Sequence, residues 1–356
     1  MILKKLKFKK SKRTISNRII VSPMCQYSGN NGAPSSWHFR HLGNLMLSGS
    51  SVVIIESTAV CKDGMISKKD LCIENDYQKK KLKNLVNYLK KIKNIPVGIQ
   101  ISHSGRKGSS ELPWIKYDTP LKKKNSWKTY SASELRKDKG WPKPKKLSIK
   151  KISQIIKIYK QSAINSKNAN FDLLELHMAH GYLLHQFLSP ISNQRSDYYG
   201  GTKKNRLNFV LEIASTVRKV WPKNKVLGAR ITASDHLSNG IKISEAVNLC
   251  KSLDKIGFDY VCVSSGGIQK KTGRKFKDFF RAKFAKKIKK HTNLNVGITG
   301  LTNNFKKANG YIKKKYFDFI FVGRPFLKNP FFLFHDQYIK TKKFEKIPSQ
   351  YERSQY

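Results

Sequence analysis

Residues 171–190 read FDLLELHMAHGYLLHQFLSP. The opening of this stretch, Phe171 to Leu176, is a short apolar run and reads as a buried strand. His177 and His180 stand at its end, and Tyr182 follows two residues later. Groups that exchange protons near neutral pH therefore gather where a buried strand gives way to a loop. Sheet enzymes place their chemistry at such an edge, because a rigid strand aims side chains into a pocket. Ordinary half-exposed histidines are the plainer reading of the same residues, and the rest of the chain decides between the two.

Seven further runs of this kind occur: Arg18–Met24, Ser51–Glu56, Pro96–His103, Val226–Thr232, Phe258–Ser264, Leu294–Thr299 and Phe317–Gly323. They are rich in Val and Ile and apolar at successive positions. That pattern marks strands buried on both faces, as in a parallel sheet covered by helices. The segments between them carry helical spacing, for example Leu82, Leu85, Val86, Leu89 and Ile92, with Lys on the opposite face. Ile152, Ile155, Ile156, Tyr159 and Ala163 repeat it behind Ser148, a natural N-cap. Leu207, Val210, Ile213, Ala214 and Val217 do so again, and Gly257 stands where a C-cap belongs. Phe280, Phe284 and Ile288 predict a shorter apolar stripe. Eight strand–helix units predict an α/β fold, a single-domain (β/α)8 TIM barrel. A doubly wound open sheet is the alternative, but the GxGxxG that would follow its first strand is absent.

The expected divisions are a basic N-terminal segment (1–16), the barrel (17–340) and a C-terminal tail (341–356). Ser104 to Leu147, after the third strand, is a long connection without periodicity, the kind that forms a lid or an insertion. Five cysteines, odd in number, widely spaced and without a CxxC, argue against a disulfide framework, a zinc site or an iron–sulfur cluster. No apolar stretch reaches the roughly 18 residues of a membrane span, and the basic N-terminus lacks the apolar core of a secretory signal. A soluble, cytoplasmic protein is expected. The net charge of +50 would attract polyanions. Its lysine clusters are dispersed rather than focused, so no specific nucleic-acid partner is expected.

In a barrel the residues after each strand share one pocket. Here those ends bring together Ser22, Pro23, Met24, Cys25 and Tyr27, then Glu56 and Ser57, Gln100, the two histidines with Tyr182, Arg230, and Gly297, Gly323 and Arg324. Glycine after strands seven and eight lets backbone N–H groups approach a phosphate, and an arginine can hold it bidentately. Gln100 and Arg230 would suit a flat heterocycle, since a cation near a flavin's pyrimidine edge stabilises charge gained on reduction. Glu56 has no second carboxylate beside it for glycosidase work, no GxSxG appears, and the histidine pair lacks a third metal ligand.

On these residues the chain resembles the old yellow enzyme family of FMN-dependent ene-reductases, and within it the bacterial NADPH dehydrogenase subclass. The resemblance runs from Arg18 to Arg353 and is carried by NRIIVSPMCQYS (17–28), GIQISHSGRK (98–107), the stretch from 171 continued to YYGG at 201, ITASD (231–235), FVGRP (321–325) and QYER (350–353). It implies FMN as cofactor, NADPH as hydride donor and a small enone as substrate. Ser22, Pro23, Met24, Cys25 and Ser57 would line the flavin, with Cys25 modulating its potential. Gln100 and Arg230 would bond the ring, and Gly297, Gly323 and Arg324 would hold the phosphate. His177 and His180 would bind the substrate carbonyl, Tyr182 would protonate the α-carbon, and Tyr27 would contact substrate. Arg353 matches an arginine that reaches a neighbouring subunit's site, which implies a homo-oligomer, dimer or tetramer. Ser57 departs from the family's usual Ala. A tRNA dihydrouridine synthase-like enzyme is the alternative, but it would need a cysteine where this chain has HMAH.

Overall fold

Each apolar run forms a strand, and the strands are parallel and close on themselves. They are β1 (Ile19–Val21), β2 (Val52–Ala59), β3 (Val97–Ser102), β4 (Leu173–Met178), β5 (Val226–Thr232), β6 (Tyr260–Ser264), β7 (Asn295–Thr299) and β8 (Phe319–Val322). The computed structural model describes residues 1–269, 276–300, 303–342 and 347–355. Neighbours in sequence are neighbours in the sheet, and Ile19–Val21 paired with Ile320–Val322 closes the barrel. β1 is shorter than its apolar run because Pro23 has no N–H to continue a ladder. β2 runs past its expected end to Ala59, and its register with β3 slips between Ile55 and Ser57. Glu56 is the extra residue of that bulge, and a bulge re-aims a side chain.

Outside the barrel lie α1 (Ser36–Met46), α2 (Asp76–Ile92), α3 (Ile149–Asn168), the short α4 (Leu183–Leu188), α5 (Asn205–Val220), α6 (Ile243–Ile256), α7 (Ala282–His291) and α8 (Phe305–Lys313). The Ser148 hydroxyl accepts from the Lys151 N–H at the start of α3, and Gly257 closes α6 at φ 98°. α7 corrects the expected stripe. It begins at Ala282 and buries Ala282, Ala285 and Ile288. Phe280 precedes the helix, where it stacks on Phe276 at 4.2 Å. Small residues let α7 approach the sheet; Phe284 packs against the core as well as beside His236, and Phe276 and Phe280 complete the aromatic patch around that histidine.

Burial on both strand faces makes two cores. Outward residues such as Val53, Leu174, Leu227, Val261 and Ile320 pack against helices. Inward residues Ile20, Val52, Ile54, Leu173, Val226, Tyr260, Phe319 and Phe321 fill the barrel. The alternation that the apolar runs concealed appears here. Along β4, Leu173, Glu175 and His177 share one face, so the lumen turns from apolar at the N-terminal end to polar at the C-terminal end.

The basic segment expected at 1–16 is part of this fold. Leu6–Lys7 pairs antiparallel with Thr14–Ile15, and Phe8, fully buried, enters the bottom of the barrel beside Tyr260 (5.9 Å) and Phe319 (6.1 Å). Its lysines face solvent while Leu6, Phe8 and Ile15 are buried. Ser11 N–H donates to Asp259 at 2.7 Å and seats the turn.

Candidate active site

All eight strands point their C-terminal ends at one rim. Ser22 follows β1 and is buried; Pro23, Met24, Cys25 and Tyr27 leave it as a partly exposed loop. Glu56, displaced by the bulge, holds this loop. One carboxylate oxygen accepts from the Gln26 N–H at 2.7 Å and the other meets His38 Nε2 at 2.7 Å. The lone carboxylate at this strand end is therefore a support. Ser57, next to it, is buried at the rim.

His177, His180 and Tyr182 converge. The His177 ring meets His180 edge-on at 5.1 Å and Tyr182 at 4.8 Å. His177 Nδ1 accepts from the Ala179 N–H at 3.2 Å, so Nε2 carries the proton and is left to donate. His180 Nε2 pairs with Ser264 Oγ at 2.6 Å. Burial pushes both imidazoles well below their ordinary range, and each is lowered further by Arg230. They are neutral donors at pH 7. Burial raises Tyr182 well above the usual phenol range, with Cys25 and Asp70 adding to it, so its hydroxyl keeps its proton. Burial likewise raises Tyr27 and Cys25.

The turn that presents these groups is fixed from behind. His180 (φ 59°) and Gly181 (φ 75°) occupy the left-handed region. A Cβ on Gly181 would lie 2.2 Å from the Gly267 carbonyl oxygen. The Gly181 N–H donates to His185 Nδ1 at 2.7 Å, and His185 Nε2 lies 3.0 Å from Asp235 with both side chains fully buried.

Beside His177, its Cα partner, Arg230 crosses the lumen. Its Nη1 donates to Ser22 Oγ at 3.1 Å, and its Nε lies 3.2 Å from Glu175 Oε1. Burial, the largest influence, disfavours its charge, but Glu175, Cys262 and Tyr260 together outweigh it and the guanidinium stays ionised. Nη2 is buried without a hydrogen-bond partner. Gln100 Nε2 donates to Glu175 Oε1 at 2.6 Å. An ionised arginine with a free N–H at a barrel rim fits the polar edge of a bound heterocycle.

At the far side of the rim the expected phosphate residues divide. Gly323 is open, its nearest neighbour the Met24 sulfur at 3.3 Å from a built Cβ, and it leads into the exposed Arg324. Gly297 lies inside β7, where its missing side chain makes room for the Phe319 ring at 2.5 Å. Arg353 is exposed on the 3-10 turn Ser349–Gln355, whose Tyr351 packs on Phe331.

Several residues here were not singled out from sequence. Glu175 was hidden in an apolar run. Lys107 reaches over the Tyr182 ring (5.3 Å) and donates to the His180 carbonyl at 2.8 Å; burial lowers it to about 8. Arg281 donates to Ser265 and to the Thr299 carbonyl, both at 2.9 Å, and burial lowers it to about 10. The long connection after β3 is built rather than loose. Arg106 bonds the carbonyls of Leu135, Arg136 and Ile268, and Lys137 pairs with Asp118 and lies 3.9 Å over Trp141. It sets Trp114 edge-on to Tyr27 at 6.1 Å. Among the described residues no group of three His, Cys, Asp or Glu is placed to hold a metal, and no helix is long and apolar enough to cross a membrane.

The NADH:flavin oxidoreductase / NADH oxidase family matches residues 2–342. The chain belongs to this family. Its members are FMN-dependent oxidoreductases, and so is this enzyme. The old yellow enzyme resemblance and the barrel are thereby established. An NADPH dehydrogenase of Bacillus cytotoxicus is 35% identical over 321 residues, 90% of this chain and 87% of that one. One from Listeria welshimeri is 33% identical over 343 residues, 96% of each. Among solved structures, morphinone reductase superposes with a TM-score of 0.76 at 21% identity, covering 92% of this chain and 87% of that one. A 2-naphthoyl-CoA reductase gives 0.80 at 18% identity, covering 93% of this chain and 51% of the larger protein. Both show the shared fold.

Proposed function

We propose that this flavoenzyme uses NADPH to reduce the activated C=C bond of α,β-unsaturated carbonyl compounds. One observation carries the reading: two imidazoles held neutral and a protonated phenol meet ring to ring on the strand next to an ionised arginine that has a free N–H and is the Cα partner of His177. FMN, when bound, would supply the two-electron chemistry that links NADPH oxidation to hydride addition at the substrate's β-carbon.

The chain's own residues do the rest. Arg230 and Gln100 hold the ring's polar edge, with Ser22, Pro23, Met24, Cys25 and Ser57 lining it. Gly323 and Arg324 hold the phosphate side, while Gly297, packed on Phe319 inside its strand, serves the barrel interior. Cys25 stays a thiol because burial raises it, and so it acts as a polarisable neighbour that modulates the potential. His177 and His180 donate to the substrate carbonyl, whose oxygen gains negative charge as hydride arrives. Such a donor contributes roughly 3 kcal/mol. Tyr182 gives its proton to the α-carbon and is reprotonated from solvent, completing addition of H2 across the alkene. Tyr27, backed by Trp114, contacts the substrate.

Arg353 enters the site of a neighbouring copy, which makes the enzyme a homo-oligomer of two or four chains; its five free cysteines suit a reducing, cytoplasmic setting. The deciding experiment is turnover of a panel of enones with NADPH and with NADH, alongside mass measurement in solution. A yellow protein that bleaches with NADPH and reduces enones, but not the matching saturated ketones, is the expected result. A protein that takes up no FMN, or reduces no enone, overturns the proposal.

A further inference from the structure

Glu175 is fully buried and meets groups from three other strands. Gln100 of β3 donates to its Oε1 at 2.6 Å, Arg230 Nε of β5 lies 3.2 Å from the same oxygen, and Tyr260 of β6 donates its hydroxyl to Oε2 at 2.9 Å. The sheet register makes this possible. Gln100 is the Cα partner of Glu175, Glu175 of Gly228, and Gly228 of Tyr260. Tyr260 is thus two strands from Glu175 and reaches it across β5. It crosses at Gly228, where a Cβ would lie 2.1 Å from the tyrosine ring. The barrel leaves one strand position bare, and a phenol passes over it to a carboxylate.

An ion pair of this kind is weak evidence for stability, because removing two charges from water offsets most of their attraction. Its position suggests another use. Arg230 faces Glu175 on one side and offers a free N–H on the other. Whatever lies at that N–H feels the arginine's charge less the share offset by the carboxylate. The tyrosine hydroxyl withdraws part of the carboxylate's charge and so adjusts the remainder.

We infer that Glu175 is a positioning residue that sets the reduction potential of bound FMN through Arg230, with the Tyr260 hydroxyl adjusting how much of the arginine's charge reaches the ring. This rests on the reading that places Arg230 at the flavin. Reduction adds negative charge to the ring's pyrimidine side, so an unopposed arginine favours the reduced form. Glu175 restrains that preference, and Tyr260 relaxes the restraint.

The test is the midpoint potential of the purified holoenzyme, without substrate, together with FMN affinity from titration of the apoprotein. Glu175→Gln keeps the shape and an acceptor for Arg230 but removes the charge. It is expected to bind reduced flavin about tenfold more tightly relative to oxidised flavin, an upward shift of roughly 30 mV for a two-electron couple. Tyr260→Phe is expected to move the potential the opposite way, and Glu175→Asp, which keeps the charge, to stay near the parent. A merely structural role would loosen Arg230 in Glu175→Gln and Tyr260→Phe alike and shift both in one direction. That result, or a potential unmoved by Glu175→Gln, overturns the inference. Should Glu175→Gln fail to fold, a Tyr260→Phe potential that is raised or unchanged overturns it alone. Arg230→Lys separates the two readings. If it alters neither potential nor FMN affinity, the placement of Arg230 at the flavin fails first.

Discussion

At the scale of single residues the site is a set of groups whose charge states burial decides. Tyr182 stays protonated through the neutral range, and Tyr182→Phe is expected to slow enone reduction by roughly 10²–10⁴-fold while leaving anaerobic bleaching by NADPH unchanged. His177→Ala is expected to weaken phenol binding roughly 10–100-fold, read from the long-wavelength band that phenols induce; an unaltered titration would remove His177 from the carbonyl site. Asp70 gives a pH-dependent prediction. Its backbone approaches Gly29 at the end of the loop that carries Cys25 and Tyr27, and its carboxylate accepts from the Ile66 and Ser67 N–H groups, yet burial raises it to about 7. Between an acid's ordinary range and pH 7 the folded chain therefore holds a proton that the unfolded chain has lost, and stability falls as pH rises through that window. Asp70→Asn does not titrate. Its deficit against the parent should shrink by on the order of 2–4 kcal/mol between pH 4 and 8, measured by denaturant unfolding at each pH. The histidines, Tyr182, Arg230 and Cys25 were legible in the sequence because reactive side chains at strand ends stand out against apolar runs. Glu175 was not, because its meaning depends on partners 75, 85 and 55 positions away that only closure of the sheet brings together.

Among the elements, strands and helices were legible wherever one period dominated. The eight runs became eight strands, and Ser148 and Gly257 capped the helices where their chemistry requires. Failures came where two demands overlapped. The bulge at Glu56 has no signature in VVIIESTA, since it is set by pairing with β3. α7 was read in part: Ile288 and Phe284 face the core as expected, but Phe280 precedes the helix, and Ala282 and Ala285, which a close approach needs, were passed over because phenylalanines outweigh alanines in a count of apolar residues. The turn from β4 to α4 is the element on which the site most depends. Gly181→Ala would force a Cβ to 2.2 Å from the Gly267 carbonyl at a φ of 75°. It is expected to cost about 1–3 kcal/mol and to reduce enone turnover more than FMN content, since it displaces His180 and Tyr182 and leaves Arg230 in place. Thermal unfolding and flavin absorbance together check this.

For the whole molecule, the barrel could be read from sequence but its closure at the bottom could not. Alternating lysine in KKLKFKK reads as a charged tail, whereas Leu6 and Phe8 face inward and lysine covers the outside. Phe8→Ala, far from the site, is expected to cost about 3–5 kcal/mol without altering the spectrum of bound flavin. At the other terminus, deleting residues 347–356 is expected to raise the enone KM and leave flavin content intact if Arg353 acts in a neighbour; unchanged kinetics would leave the tail a structural element. The seating of Phe8 against Phe319 also bears on how the protein is made. Phe8 has its resting place on a strand synthesised more than three hundred residues after it. Until that strand emerges the growing chain must carry an unhoused aromatic, and the stopper can be fitted only when the vessel is finished.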